Sequence, residues 1–245
     1  MAMGTSRVVV VGMMLAALGL AGCQTTAQTS TDGGSAAVQM AREAMARGDL
    51  LSSAAAGQGR IQQIPPRIYL IRGLANVFSM GMDDLAAKLR ARGYNATVHE
   101  YGSWNSIAAE ILANQRASGG RHRAVVIGHS LGANAVTDIV NAVGRGGGSV
   151  ALAVAFDPTV RQELSGGTPR YVNFFQSNNG WGASIAAGPG FRGRLENIDL
   201  RQQGSLSHFN IEKDPRLHAQ VIGWVGQAVG NGRPQRTAAR QAAAR

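Results

Sequence analysis

One serine stands in a setting that can make it a nucleophile. Ala124-Val125-Val126-Ile127 is an apolar run. It ends in Gly128-His129-Ser130-Leu131-Gly132, and helix-favouring residues follow at once. A serine hydroxyl attacks poorly at neutral pH, so it needs an adjacent base and a fixed direction. A tight turn at the end of a buried strand supplies the direction. G-x-S-x-G between a strand and a helix is the sequence form of such a nucleophile elbow. The two glycines are small because the turn is strained and the following helix packs close to its neighbours. The chemistry implied is acyl transfer, with Ser130 attacking a carbonyl carbon.

The elements that must position this turn are legible from periodicity. Arg67 to Gly73 reads as a buried strand ended by glycine. A loop from Leu74 to Gly81 leads into an amphipathic helix over Met82 to Arg92, with Leu85 and Leu89 on one face and Gly93 at its end. Ala96 to Tyr101 is a second strand and Trp104 to Ser118 a second helix. The elbow strand is third, and Ala133 to Val143 is its helix. Val150 to Phe156 is a fourth strand ending in Asp157-Pro158, Tyr171 to Phe175 a fifth, and Leu195 to Leu200 a sixth. Pro215 to Val229 is the final helix. Strands alternating with helices predict an α/β fold, a mostly parallel open sheet of about six strands covered on both faces.

From Ile68 to Val229 this order, with its elbow, resembles the α/β-hydrolase superfamily. The resemblance implies a lipase-, esterase- or thioesterase-like serine hydrolase whose chain order is Ser, then Asp or Glu, then His. The base is then a late histidine. His208 lies in the loop Gly204-Ser205-Leu206-Ser207-His208-Phe209, between the last strand and the last helix; His218 lies inside that helix. The implied triad is Ser130, Asp157 and His208, with Asp199 as the alternative acid. His129, inside the motif, reads as a residue that packs behind the site or supports it from there, not as the base. Asp157 follows the fourth strand, whereas most relatives carry the acid after the next one. Here that later position reads Gln176-Ser177-Asn178-Asn179, without a carboxylate. The resemblance also implies an oxyanion hole built from the N–H of Leu131 and a second N–H from Leu74 or Ala75. Arg72-Gly73 replaces the His-Gly of many relatives, and Arg72 either orients the loop or is a surface arginine.

Only Thr159 to Pro169 separates the fourth strand from the fifth, which predicts a small or open cleft without a large lid. The loop Ser177 to Arg194 carries Trp181 and Phe191 as candidate walls of an acyl or aromatic pocket, and Phe78 and Trp104 lie towards the same side. No cluster has metal-ligand spacing and no glycine-rich loop reads as a nucleotide cradle, so neither metal nor cofactor is expected.

The chain has 245 residues, 44% hydrophobic and 16% charged, enough for one α/β domain. Its net charge is +10, from 24 Lys and Arg against 14 Asp and Glu. No basic stretch is interleaved with aromatics and no nucleic-acid motif occurs, so nucleic acid is not expected as a partner. Residues 1–22 read as a secretion signal, with Arg7 before an apolar core from Val8 to Leu20 that is shorter than the ~20 residues of a membrane span. Leu20-Ala21-Gly22-Cys23 resembles the lipobox of bacterial lipoproteins. That implies lipid attachment at Cys23, the sole cysteine, and a membrane anchor in the bacterial cell envelope. By the same resemblance Gln24 favours the outer membrane, with the protein facing the periplasm. Residues 23–64 read as a polar tether and a weakly helical segment, 65–230 as the hydrolase domain, and 231–245 as a basic tail.

The leading expectation is a lipid-anchored hydrolase of small-molecule or lipid esters or thioesters. The alternative is a non-catalytic envelope-binding lipoprotein on a hydrolase scaffold, since fold alone does not establish activity.

Overall fold

The computed structural model describes residues 63–74 and 79–230, together with Gln39 and Glu43, both helical. The expected signal segment, Cys23, the tether and the basic tail lie outside the described residues, as do Ala75 and Phe78. The chain divides into two units, Met1–Gly59 and Arg60–Arg245, and the second contains the sheet and the site.

Its elements run β1 (Arg67–Arg72), α1 (Met80–Arg90), β2 (Asn95–Glu100), α2 (Trp104–Ala117), β3 (Ala124–His129), α3 (Leu131–Arg145), β4 (Leu152–Phe156), β5 (Gln162–Leu164), β6 (Arg170–Phe175), β7 (Ile185–Ala187), β8 (Arg194–Asp199) and α4 (Pro215–Val229). The main sheet has six strands in the order β2-β1-β3-β4-β6-β8, every neighbouring pair parallel. The sequence predicts this α/β architecture, with strand and helix bounds that shift by one or two residues. The short pair β5 and β7 is additional, joined in parallel as a second sheet. At three residues each, these strands are too brief to show a period.

β3 and β4 are buried at every position, as central strands covered on both faces must be. Ile107, Ile111, Val136, Ile139 and Val140 cover one face from α2 and α3. Met82, Leu85, Leu89, Leu217, Val221 and Val225 cover the other from α1 and α4. Strand order reverses between β1 and β3, and a parallel sheet opens a crevice beyond the carboxyl ends of its strands at such a switch point. The strands align so that His129 pairs with Phe156 and Phe156 with Phe174. Ser130, Asp157 and Gln176 therefore stand one residue past the ends of β3, β4 and β6. The amides of Ser130 and Asp157 still bond across the sheet, to the carbonyls of Phe156 (3.0 Å) and Phe174 (2.7 Å).

The loop after β8 is closed by the start of α4. Asp214 caps that helix, accepting from the amides of Arg216 (2.8 Å) and Leu217 (3.2 Å), and Pro215 occupies the first helical position, where no N–H is needed. Trp224 then stacks on Phe174 at 5.8 Å between ring centres, pinning α4 to the sheet.

Two glycines separate a packing requirement from a helix cost. A Cβ on Gly132 would lie 2.3 Å from the Ile71 carbonyl oxygen, whereas one on Gly223, in α4, meets nothing within 4 Å. Gly132→Ala should destabilise the fold by about 1–3 kcal/mol, and Gly223→Ala should stabilise it by about 0.5–1 kcal/mol. Urea unfolding of the two variants checks both signs.

Candidate active site

Ser130 sits at φ 58° and ψ −123°, a conformation that costs a side-chain-bearing residue free energy and aims its hydroxyl out of the turn. Neither flanking glycine takes up that strain. Gly128 and Gly132 are required for space, because a Cβ on Gly128 would lie 2.2 Å from the Gly132 carbonyl oxygen. The sequence reading of a strained turn and close packing thus divides. The strain falls on the serine, and the glycines let α3 approach β1 and β3.

The structure brings Ser130, His208 and Asp157 together. His208 Nε2 is 3.0 Å from Ser130 Oγ, and His208 Nδ1 is 2.7 Å from Asp157 Oδ2. A carboxylate only accepts, so Nδ1 carries the proton and Nε2 is left to accept from the serine hydroxyl. Such a chain can take a proton from Ser130 and balance the resulting imidazolium with a buried negative charge. His218 does not join it. It is buried in α4, donating from Nε2 to the Glu212 carbonyl at 2.6 Å. Asp199 is also elsewhere, bonded to the Ser177 hydroxyl (2.7 Å) and to the amide of Arg201 (3.0 Å).

The Gln176-Ser177-Asn178-Asn179 stretch, which lacks a carboxylate, serves the carboxylate of the neighbouring strand instead. The Gln176 amide donates to Asp157 Oδ1 (2.9 Å), and Asn179 Nδ2 donates to Oδ2 (2.7 Å). Asn179 Oδ1 in turn accepts from the amides of Trp181 and Gly182, both at 2.8 Å. Gly182 packs so near that a Cβ would lie 2.2 Å from Asp157 Oδ1. Periodicity could not reveal these roles; the one signal was amide side chains at the strand end where the family that the sequence resembles carries an acid.

Of the two places open to His129, the structure gives it the supporting one. Its Nε2–H donates to the carbonyl of His208 (2.8 Å), and Nδ1 accepts from the Ser79 hydroxyl (2.8 Å). Ser79 Oγ accepts from the Gly73 amide (2.9 Å). The imidazole therefore ties the loop after β1 to the loop carrying His208. Burial holds its pKa down to about 4, so it is a neutral link at physiological pH. Glu212 is also buried, with Oε2 3.8 Å from His129 Nε2, and burial raises its pKa.

The loop after β1 is anchored at both ends. Arg72 forms a two-pronged ion pair with Asp83 in the first turn of α1, its Nε–Oδ2 arm at 2.8 Å. The pair ties the end of β1 to the first turn of α1. Leu131 opens α3, so its N–H belongs to a first turn without intrahelical acceptors. Leu74 is exposed beside Ser130 and lines the same cavity; the Gly73 amide is already engaged by Ser79.

That cavity, of about 160 Å³, is bordered by Leu74, Ser79, His129, Ser130, Trp181, His208 and Phe209. Trp181 lines it as expected. Phe191 is buried in the core on the α2–α3 side, and Trp104 packs against the same cluster. Phe209, next to the histidine, supplies the wall that the sequence reading assigned to Phe191. Two larger clefts, about 380 and 520 Å³, lie among Gly146–Ser149 and Arg121–Arg123 and include none of the residues converging on Ser130. Among the described residues no group of His, Cys, Asp and Glu is arranged to hold a metal ion.

No protein-family pattern matches the chain, and no curated protein matches it. Among solved structures, a proposed hydrolase of the alpha/beta superfamily from Xanthomonas campestris pv. campestris aligns with 66% of this chain and 98% of its own. The sequence identity is 12% and the TM-score 0.38.

The His129 link carries a pH signature. The unfolded chain protonates this residue below its ordinary 6.5, while the folded chain resists until about pH 4. Its contribution is present in full above pH 6.5 and is lost as the pH falls towards 4. Glu212 works in the opposite direction, favouring the folded chain on acidification. Urea unfolding should show His129→Asn less stable than the native protein at pH 7. That gap should narrow by about 3 kcal/mol at pH 4, at about 1.4 kcal/mol per pKa unit. A gap independent of pH would refute the neutral link.

Proposed function

We propose that the protein is a serine hydrolase that cleaves carboxylic esters or thioesters at Ser130. The observation that carries this reading is the hydrogen-bonded chain from Ser130 through His208 to Asp157, at 3.0 and 2.7 Å. His208 Nε2 takes the hydroxyl proton as Ser130 Oγ attacks the carbonyl carbon. Asp157 holds the imidazole in the required tautomer and stabilises the imidazolium. The N–H of Leu131 and one from Leu74 or Ala75 receive the developing oxyanion. The tetrahedral adduct collapses, the leaving oxygen or sulfur takes the proton from Nε2, and an acyl-serine remains. Water, deprotonated by the same imidazole, then releases the acid and restores Ser130.

The support for an envelope setting is separate and lies in the sequence. The lipobox-like Leu20-Ala21-Gly22-Cys23 reads as a lipid anchor, with 23–64 as the tether that lets the domain reach its substrate.

A fluorophosphonate probe should label the native protein and leave Ser130→Ala unlabelled. Against p-nitrophenyl esters, Asp157→Asn should lower kcat by roughly 10³–10⁴-fold, by analogy with loss of the orienting acid in serine proteases. Folded native protein that is never labelled, or Ser130→Ala that keeps its esterase rate, would overturn the proposal in favour of a non-catalytic binding role.

A further inference from the structure

The imidazole of His208 is clothed in aromatic rings. Trp181 stacks on it with ring centres 5.0 Å apart and planes 20° apart, and Phe209 meets it edge-on at 5.4 Å. His129 lies against it at 5.0 Å. Trp181 and Phe209 are 52% and 49% exposed, and both border the cavity at Ser130. Single exposed apolar side chains are ordinary, but these two share with Leu74 the apolar border of one cavity at Ser130, the arrangement of a binding site.

Their side of the cavity can be assigned from the reaction. Resting on the reading of Ser130 as nucleophile, His208 Nε2 must deliver its proton to the leaving oxygen as the carbonyl C–O bond breaks. That oxygen therefore lies within hydrogen-bond reach of Nε2, and its substituent extends along whatever flanks the imidazole. The flanking groups are Trp181 and Phe209. Leu74 borders the cavity from the loop after β1, next to Gly73, where a Cβ would lie 2.9 Å from Ser130 Cβ; that is the side on which the carbonyl oxygen and acyl group approach.

We infer that Trp181 and Phe209 form a leaving-group subsite, and that the preferred substrates are esters of apolar alkyl or aryl alcohols. The subsite is built in advance. The Trp181 amide is held by Asn179, which itself donates to Asp157, and Gly182 lets this loop close on the carboxylate. A wall fixed before binding loses little freedom when the ligand arrives. Its capacity is limited. A cavity of about 160 Å³ resembles in size one that accepts a benzene ring, and it must also take the reacting carbonyl and acyl group, so fewer than about six carbons of the alcohol lie inside it.

Hexyl acetate and ethyl hexanoate test this, because they are isomers that differ only in which side of the ester carries the chain. The expected result is at least a tenfold higher kcat/KM for hexyl acetate. Among alkyl acetates, kcat/KM should rise up to about fourfold per methylene over the first few carbons and level off before about six. Trp181→Ala should bring the isomer ratio towards one, Phe209→Ala should lower it in part, and Trp181→Phe should keep most of it. A ratio is unaffected by a general loss of rate from a loosened His208, so it separates recognition from support of the base. A native ratio at or below one, or a ratio unchanged in folded Trp181→Ala, overturns the inference while leaving the hydrolase reading intact. Labelling of Ser130 by a fluorophosphonate with hydrolysis of neither isomer does the same. Absence of both labelling and hydrolysis removes the hydrolase reading and this inference together.

Discussion

The first turn of α3 is pressed against the carbonyl end of β1, and the site depends on that contact. Gly132 meets the carbonyls of Ile71 and Arg72 with no space for a side chain, and Gly128 meets the carbonyl of Gly132 in the same way. With strand end and helix this close, the connecting residue has no extended or helical conformation available. It is Ser130 that takes the strained one. The same closeness brings the start of α3 beside Gly73, so hydroxyl, helix N-terminus and the loop after β1 share one small volume. Here backbone strain is the by-product of close packing and the means of aiming a side chain.

Among the described residues only one other non-glycine residue has positive φ, and it is Asp157, at 52°. The two strained residues are the two that His208 bridges. Strain of this kind persists only where the surroundings over-determine it. Around Asp157 they do: its amide is fixed by Phe174, its carboxylate accepts from Gln176, Asn179 and His208, and Gly182 closes the remaining side. The buried charge is thus fully hydrogen-bonded, the condition under which a carboxylate can be kept inside a protein.

The four inner strands, RIYLIR, AVVIGH, LAVAF and RYVNFF, were legible from their apolar runs and from the glycine, proline or asparagine in their turns, whereas the edge strands NATVHE and RLENID carry few apolar residues. Ser130 was legible because G-x-S-x-G joined a strand to a helix. Asp157 and His208 were singled out by the chain order that the family resemblance implies and by their places beyond strand ends. Hydrogen bonding between distant loops left no such trace. Nothing in the local pattern of His129 says that its two nitrogens would join Ser79 to the carbonyl of a residue 79 positions away. Phe191 and Phe209 show the same limit. Both sit in glycine- or serine-rich loops, and only the sheet decides that one turns into the core and the other towards Ser130. β5 and β7 escaped notice because three residues cannot display a period.

The order of the strands also has a temporal meaning. Ser130 and His208 are 78 residues apart, and the histidine follows β8, the edge strand made last. At ~5–20 residues per second, a ribosome emits Ser130 several seconds before His208. Until β8 joins β6, His208 has no place beside Ser130. The hydrogen-bonded set at Ser130 is therefore complete only once the last-made edge of the sheet is in place.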